Sequence, residues 1–190
     1  MKNIKYIFPL FIVMVLIQWF IPMKMVWDNE AILRNGNVYK FKTAPVDPTD
    51  IFRGKYVHLS FDVETLKVQN AKAFRYGDKV FLTIVKNQNG YASIKRVSTD
   101  VPNDDYDYIK AEINYVKAEK QQIVVRFPFE RFYMEESLAL PAEKAHRKSM
   151  KRSNSKTYAI VKVLDGNSLV EEVMIDDKPI RDVALESVEK

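Results

Sequence analysis

Residues 79–99 read "KVFLTIVKNQNGYASIKRVST" and form the most regular stretch of the chain. Two arms rich in β-branched and aromatic side chains alternate on either side of Asn89 and Gly90. Such side chains fit a pleated, half-buried surface, and an Asn-Gly pair tolerates the positive φ angles of a hairpin turn. The stretch therefore predicts a β-hairpin.

Similar segments lie on both sides of this hairpin. Residues 108–134 and 156–176 read as two further hairpins, whereas 37–43 and 53–64 alternate as single strands. Between the last two hairpins, "LPAEKAHRKSM" is rich in helix formers, and we expect a short helix there with Pro141 in its first position. The sequence thus predicts a mainly β, barrel-like or sandwich-like domain with seven or eight strands and one short helix.

Composition excludes several classes of function. The 190 residues include 47% hydrophobic and 29% charged residues, which is typical of a globular chain. A net charge of +5 is too small to indicate nucleic-acid binding. The chain has no cysteine, so disulfides, thiol catalysis and cysteine-based zinc sites are excluded.

The N-terminus carries an uncharged run, "YIFPLFIVMVLIQWFIPM", at residues 6–23. As a helix it is about 27 Å long, close to the hydrocarbon thickness of a bilayer. Lys2 and Lys5 precede it, and Trp27 follows at the expected far interface. A cleaved signal peptide and a buried core helix are the alternatives. No small-x-small cleavage site follows the run, so the pattern favours an uncleaved anchor.

This interpretation divides the chain into an anchor, 1–27, and an extracytoplasmic domain, 28–190, with two halves at about 28–118 and 119–190. Basic residues before the apolar run favour a cytoplasmic N-terminus. We therefore expect a single-pass protein of the cell (inner) membrane, held by lipid contacts of the anchor.

The segment "PVDPTDIFRGKYVHLSF", residues 45–61, combines a rigid, proline-containing turn with a regular strand. Alternation places Tyr56 and His58 on a polar face and Val57, Leu59 and Phe61 on an apolar face.

This strand resembles the signature of the GDYXXLXY family of membrane-anchored bacterial proteins. The resemblance rests on Gly54, Tyr56, Leu59 and Phe61, with Phe in place of Tyr at the last position, and on Arg53 before them. Lys55 stands where the family has Asp. The blocks "FERFYMEE", residues 129–136, with "AEKAHRK" behind it, and "MIDDKPI", residues 174–180, resemble two later parts of the family.

The resemblance implies an exported, membrane-tethered domain and hints at a polytopic membrane protein as partner; it implies no activity. The motif has two interpretations. In the structural one it launches a strand, with Gly54 allowing the backbone to bend. In the functional one Arg53, Tyr56 and His58 contact a ligand.

A basic run, "EKAHRKSMKRSNSK", occupies residues 143–156. It is either a solvated helix end and loop or a contact for anionic lipid or a wall polyanion. The contact residues in the second case are Lys144, Arg147, Lys148, Lys151 and Arg152.

No catalytic motif is recognisable. The two histidines, His58 and His146, have no metal-site spacing, and no nucleotide or cofactor motif is present. A serine–lysine hydrolase needs a serine soon after the membrane, but the first serine is Ser60. We therefore expect a binding or scaffolding protein without metal or cofactor; an envelope hydrolase with an unrecognised site is the alternative.

Overall fold

The computed structural model describes residues 4–44, 56–150 and 156–188. Three α-helices lie in these ranges: α1 (Ile4–Asn35), α2 (Glu136–Met150) and α3 (Ile180–Val188). The same ranges contain twelve strands: β1 (Asn37–Ala44), β2 (Tyr56–His58), β3 (Ser60–Phe61), β4 (Thr65–Lys67), β5 (Lys79–Lys86), β6 (Ala92–Ser98), β7 (Tyr108–Lys117), β8 (Gln122–Arg126), β9 (Arg131–Tyr133), β10 (Thr157–Leu164), β11 (Asn167–Ile175) and β12 (Lys178–Pro179).

The strands form a nearly closed, barrel-like sheet, so the predicted mainly β fold is confirmed. One five-stranded sheet has the order β12-β11-β10-β1-β3, and the other has the order β4-β8-β7-β5-β6. Parallel bridges from Lys40 to Tyr91 and from Ile109 to Gly166 join the two sheets. β1 pairs with β10, so strands from both sides of residue 118 share a sheet.

The three predicted hairpins are confirmed, but the second is shorter than predicted, because its second arm ends at Arg126 and β9 pairs with β2 instead. Asp165 and Gly166 have φ angles of 50° and 78°, as a two-residue turn of the I′ type requires. The β5–β6 hairpin has a longer loop, in which Gly90 has a φ of 78°. There the Asn87 side chain accepts hydrogen bonds from the backbone N–H groups of Asn89 and Tyr91.

An aromatic cluster fills the core where β1 and β3 meet the segment after β8. Its ring centroids are 5.0 to 5.8 Å apart, mostly in edge-to-face contact. None of its members is more than 3% exposed: Phe41, Phe61, Phe127 and Phe129. Such clusters add contact energy beyond the burial of apolar area.

The short helix after β9 is confirmed, but its predicted start is wrong. α2 begins at Glu136, so Pro141 lies inside the helix. The "SLAL" segment has good helix propensity, and Glu135 accepts backbone hydrogen bonds from Leu138 and Ala139 in the first turn. This nucleates the helix ahead of the proline.

One short helix is predicted from the sequence, but the β-rich domain contains two short helices in its described part, α2 and α3. Ile180 and Ala184 are fully buried on the inner side of α3, and α3 packs against α2 and β11. A nine-residue helix is marginal by itself, so tertiary packing rather than propensity stabilises it.

α1 runs without a break past the predicted boundary at residue 27. It is long and apolar enough to span a membrane, and none of its apolar window is buried. Its last turn differs, because Ile32 is 7% exposed and contacts are made with β10 and β11. A single residue, Gly36, then separates α1 from β1. The helix therefore enters the sheet directly, without a flexible linker.

Candidate functional site

The predicted strand at residues 53–64 divides between two partners. β2 pairs with β9, with Tyr56 opposite Tyr133 and His58 opposite Arg131. β3 pairs instead with β1, where Phe61 faces Thr43. Between them the Leu59 N–H donates to the Glu130 carbonyl at 2.8 Å. The segment thus joins the blocks "RGKYVHLSF" and "FERFYMEE", which lie about 70 residues apart in the chain.

The predicted alternation of faces is confirmed for the described part of the motif. Val57, Leu59 and Phe61 are 0%, 0% and 2% exposed, whereas Tyr56 is half-buried and His58 is exposed. Leu59 and Phe61 are therefore core residues. Arg53 and Gly54 lie outside the described residues, so the ligand contact of Arg53 and the backbone role of Gly54 stay predictions.

The outer side of the β2–β9 pair forms a surface that we call the motif face: Tyr56, His58, Arg131 and Tyr133. The Tyr56 and Tyr133 ring centroids are 5.5 Å apart, and the Arg131 guanidinium lies 5.0 Å from the Tyr56 ring centroid. Tyr133 is 60% exposed. Sequence reasoning named Tyr56 and His58 but missed Arg131 and Tyr133, because only strand pairing brings them together.

Tyrosine and arginine are the side chains that protein interfaces use most as energetic centres. Both combine a large contact area with hydrogen-bonding groups, and tyrosine does so at low conformational-entropy cost. Val57 and Phe132 on the opposite side are buried, which holds the strand pair at a fixed position on the core. The motif face can therefore bind a partner without first being ordered.

Two glutamates lie beside the motif and were not singled out in the sequence. Glu64 accepts hydrogen bonds from the Ser60 hydroxyl at 2.9 Å and from the Phe61 N–H at 2.6 Å. Burial raises the pKa of Glu64, and burial together with the charge of Glu64 raises the pKa of Glu130. The Glu64 carboxylate therefore holds the Ser60 hydroxyl and the Phe61 N–H together in one local turn.

The basic run lies partly on α2. Lys144, Arg147 and Lys148 are exposed, and their spacing places them on one side of the helix. Lys151 and Arg152 lie outside the described residues. Contact of these five residues with lipid or polyanion stays a prediction.

The inner side of α2 carries a small buried polar cluster that the sequence did not indicate. The Ser149 hydroxyl lies 2.8 Å from the Thr157 hydroxyl, and the Thr43 hydroxyl donates to the Thr157 carbonyl at 3.1 Å. His146, one turn earlier, is 4% exposed, and its Nε2 has no hydrogen-bond partner among the residues that the structure describes. Burial lowers the pKa of His146 to about 4.

Burial of His146 predicts loss of stability in acid. The unfolded chain binds a proton near pH 6.5, but the folded chain does so only near pH 4. Its contribution is therefore complete above about pH 6.5 and is lost as the pH falls toward 4. We expect His146→Leu to reduce the fall in unfolding free energy across this range by about 3 kcal/mol, since one pKa unit is worth about 1.4 kcal/mol.

Urea unfolding of the full chain in neutral detergent, followed by circular dichroism at several pH values, measures this effect. Leu140→Ala is the control, because Leu140 is exposed on the same helix and carries no titratable group, so its replacement should leave the pH profile unchanged. Parallel profiles for His146→Leu and the parent protein would contradict the assignment.

In the described ranges, no group of three or more histidine, aspartate or glutamate side chains is placed to hold a metal ion. The features that remain are a barrel-like β domain, an apolar helix able to span a bilayer and an aromatic, cationic surface. Together they define a class: a β-rich domain attached to a candidate membrane helix.

A model of the GDYXXLXY protein family matches residues 18–173, and the chain belongs to that family. No curated protein and no solved structure matches the chain.

Proposed function

We propose that this protein is a single-pass membrane protein whose β-rich domain lies outside the cytoplasm. There it binds or scaffolds a membrane-protein partner through the motif face. The observation that carries this proposal is the pairing of Tyr56 and His58 with Tyr133 and Arg131 on one outward surface. Two segments that resemble the family thus form one surface, and the buried side chains of Val57 and Phe132 on the opposite side of the strands stabilise it.

The connection between helix and domain supports a partner in the membrane. Trp27 and Asn35, the last residue of α1, are eight residues apart, which corresponds to about 12 Å along the helix. If Trp27 marks the membrane interface, the domain lies close to the lipid headgroups. A polytopic membrane protein presents its loops at this height, within reach of the motif face.

Site-specific photocrosslinking in living cells tests the motif face. A photoreactive phenylalanine analogue at Tyr133 should give one main adduct, containing a membrane protein that mass spectrometry identifies. The same analogue at Tyr115, which is 59% exposed on β7, is the matched control and should not give this adduct.

A second variant tests the energetics of the surface. Arg131→Glu should reduce the yield of the adduct at Tyr133 about tenfold or more, since losing an interface centre costs about 2 kcal/mol. Arg147→Glu on α2 should leave the yield unchanged. An equal yield from the Tyr115 position, or an adduct with soluble proteins alone, would contradict the proposed partner surface.

The membrane orientation has its own test. A reporter enzyme that is active only outside the cytoplasm, fused after Lys190, should be active, because the lysines before the apolar run hold the N-terminus inside. A fluorescent reporter that matures only in the cytoplasm should be dark at the same position. The reverse pattern would overturn the extracytoplasmic assignment.

A further inference from the structure

A groove of about 510 Å³ lies between the segment 126–133 and the first half of β11. This volume is within the range of ordinary ligand sites. The groove marks the place where the barrel-like sheet stays open. At one end of β11, Gly166 still bridges to Ile109 of β7. Beyond that bridge the two parts of the sheet separate.

Two strand edges border the groove. Over residues 167–173, the outer edge of β11 pairs with no strand in the described part of the chain, since β12 pairs only with Met174 and Ile175. Within the same ranges, β9 pairs with β2 alone. A strand edge without a neighbour presents a row of backbone N–H and C=O groups and can accept an added strand.

The lining of the groove combines an apolar floor with a cationic rim. Phe132 is buried beneath it, and Leu169 and Val170 are half-buried along β11. Three exposed arginines line it as well: Arg126, Arg131 and Arg181.

The arginines are held by neighbours of different kinds. The Arg181 guanidinium lies 5.6 Å from the Phe132 ring centroid, and an Arg126 Nη2 donates to the Asn114 side chain at 2.9 Å. Glu130 and Glu171 also line the groove, so three arginines and two glutamates leave one net positive charge. Glu171 lies 3.9 Å from Lys162, which offsets part of its charge.

We propose that this groove binds an extended segment of a partner protein, in which apolar and acidic residues alternate, as an added strand on β11. Main-chain hydrogen bonds to β11 provide affinity, apolar side chains contact Val170, and carboxylates on the other side of the added strand meet the arginines. Four residues, from Ser168 to Glu171, correspond to an added strand of about 13 Å. The groove shares Arg131 and Tyr133 with the motif face and extends beyond it to Arg126, Arg181 and β11.

The edge of β11 could instead be built to prevent strand addition, in which case no peptide would bind there. The pairing of β10 with β11 is irregular next to Glu171, and bulges and charges at an edge are a common means of preventing strand addition. If the irregularity served this purpose, no extended peptide would pair there. An anionic lipid headgroup, in turn, would need the arginines but not the strand edge. The experiment separates these cases.

The test uses the full chain in neutral detergent and a short fluorescent peptide of alternating valine and glutamate. We expect saturable binding in fluorescence anisotropy and slower amide hydrogen exchange in residues 167–173. Replacing both Arg126 and Arg181 by glutamine should weaken binding about tenfold or more, which corresponds to about 1.4 kcal/mol. Arg147→Gln, on the exposed side of α2, is the matched control and should bind like the parent protein.

Two further peptides complete the design. A valine–lysine peptide and a valine–glutamate peptide with alternate backbone N-methyl groups should both fail to bind, because one lacks the carboxylates and the other lacks the N–H groups of a strand. Equal binding of either peptide would overturn the proposal, as would no binding of the first peptide at millimolar concentration. Competition by phosphatidylglycerol micelles without any change in exchange of residues 167–173 would indicate a lipid site instead and would also overturn it.

Discussion

Phe61→Ala should reduce the unfolding free energy of the protein by about 3–5 kcal/mol, the usual cost of removing a buried phenylalanine ring. Phe61 is 2% exposed and lies within 5.8 Å, between ring centroids, of Phe41, Phe127 and Phe129. Alanine would leave a cavity among three rings, one from β1 and two from the segment after β8. Urea unfolding of the full chain, followed by circular dichroism, measures the loss.

Tyr56→Ala is the matched control for this prediction, since it belongs to the same motif but points outward. Its contact with Tyr133 should be worth about 0.5–1.5 kcal/mol, so we expect a much smaller loss of stability. The two variants separate the two roles of the motif: Phe61→Ala should lower abundance, and Tyr56→Ala should lower partner binding. If Phe61→Ala unfolds like the parent protein, the aromatic cluster is not the core of the domain.

Gly36→Val should destabilise the junction between α1 and the sheet by about 1–3 kcal/mol, as overpacking typically does. A Cβ at Gly36 would overlap the Ile32 carbonyl oxygen and would lie 3.1 Å from the Val163 backbone nitrogen and 3.2 Å from the Lys162 Cβ. Two of these three neighbours are backbone atoms, which cannot rotate away. The Gly36 N–H also donates to the Ile32 carbonyl at 2.9 Å and so closes the helix.

Thermal unfolding by circular dichroism in neutral detergent tests this junction. We expect the midpoint to fall by about 2–4 °C for each kcal/mol lost, and Gly36→Ala to lie between Gly36→Val and the parent protein. Asn35→Ala, one residue earlier and exposed, is the control and should melt close to the parent protein. An unchanged midpoint for Gly36→Val would mean that the helix is joined to the domain loosely, which would weaken the argument for a domain held close to the membrane.

The position of the motif gives its residues two separate duties. Leu59 and Phe61 belong to the core, whereas Tyr56 and His58 belong to the motif face. Leu59 and Phe61 thus stabilise the core, whereas ligand contact by Tyr56 and His58 stays a prediction. Ser60, the first serine after α1, donates to the Glu64 carboxylate, whereas the hydrolase considered from the sequence would pair its serine with a lysine.

Only two of the four residues of the motif face could be predicted from the sequence. Tyr56 and His58 could be placed on a polar face because alternation in a strand is a local property. Arg131 and Tyr133 could not be added, since nothing near residue 131 indicates that its partner strand begins at residue 56. His146 illustrates the same limit, because its surroundings in the sequence are basic and polar, yet packing of α2 buries it.

By itself, the sequence determined the apolar helix, the three hairpins and the inward and outward faces of the motif strand. Each of these depends on residues that are neighbours along the chain, whose periodicity and turn preferences act locally. Only the tertiary structure decided that β2 pairs with β9 and that β3 pairs with β1. It also decided that, among the described residues, the outer edge of β11 over 167–173 has no strand partner and lies beside three arginines, and that α1 enters the sheet through Gly36. These features depend on contacts between distant segments, where apolar burial and backbone pairing select one arrangement among many that the local patterns allow.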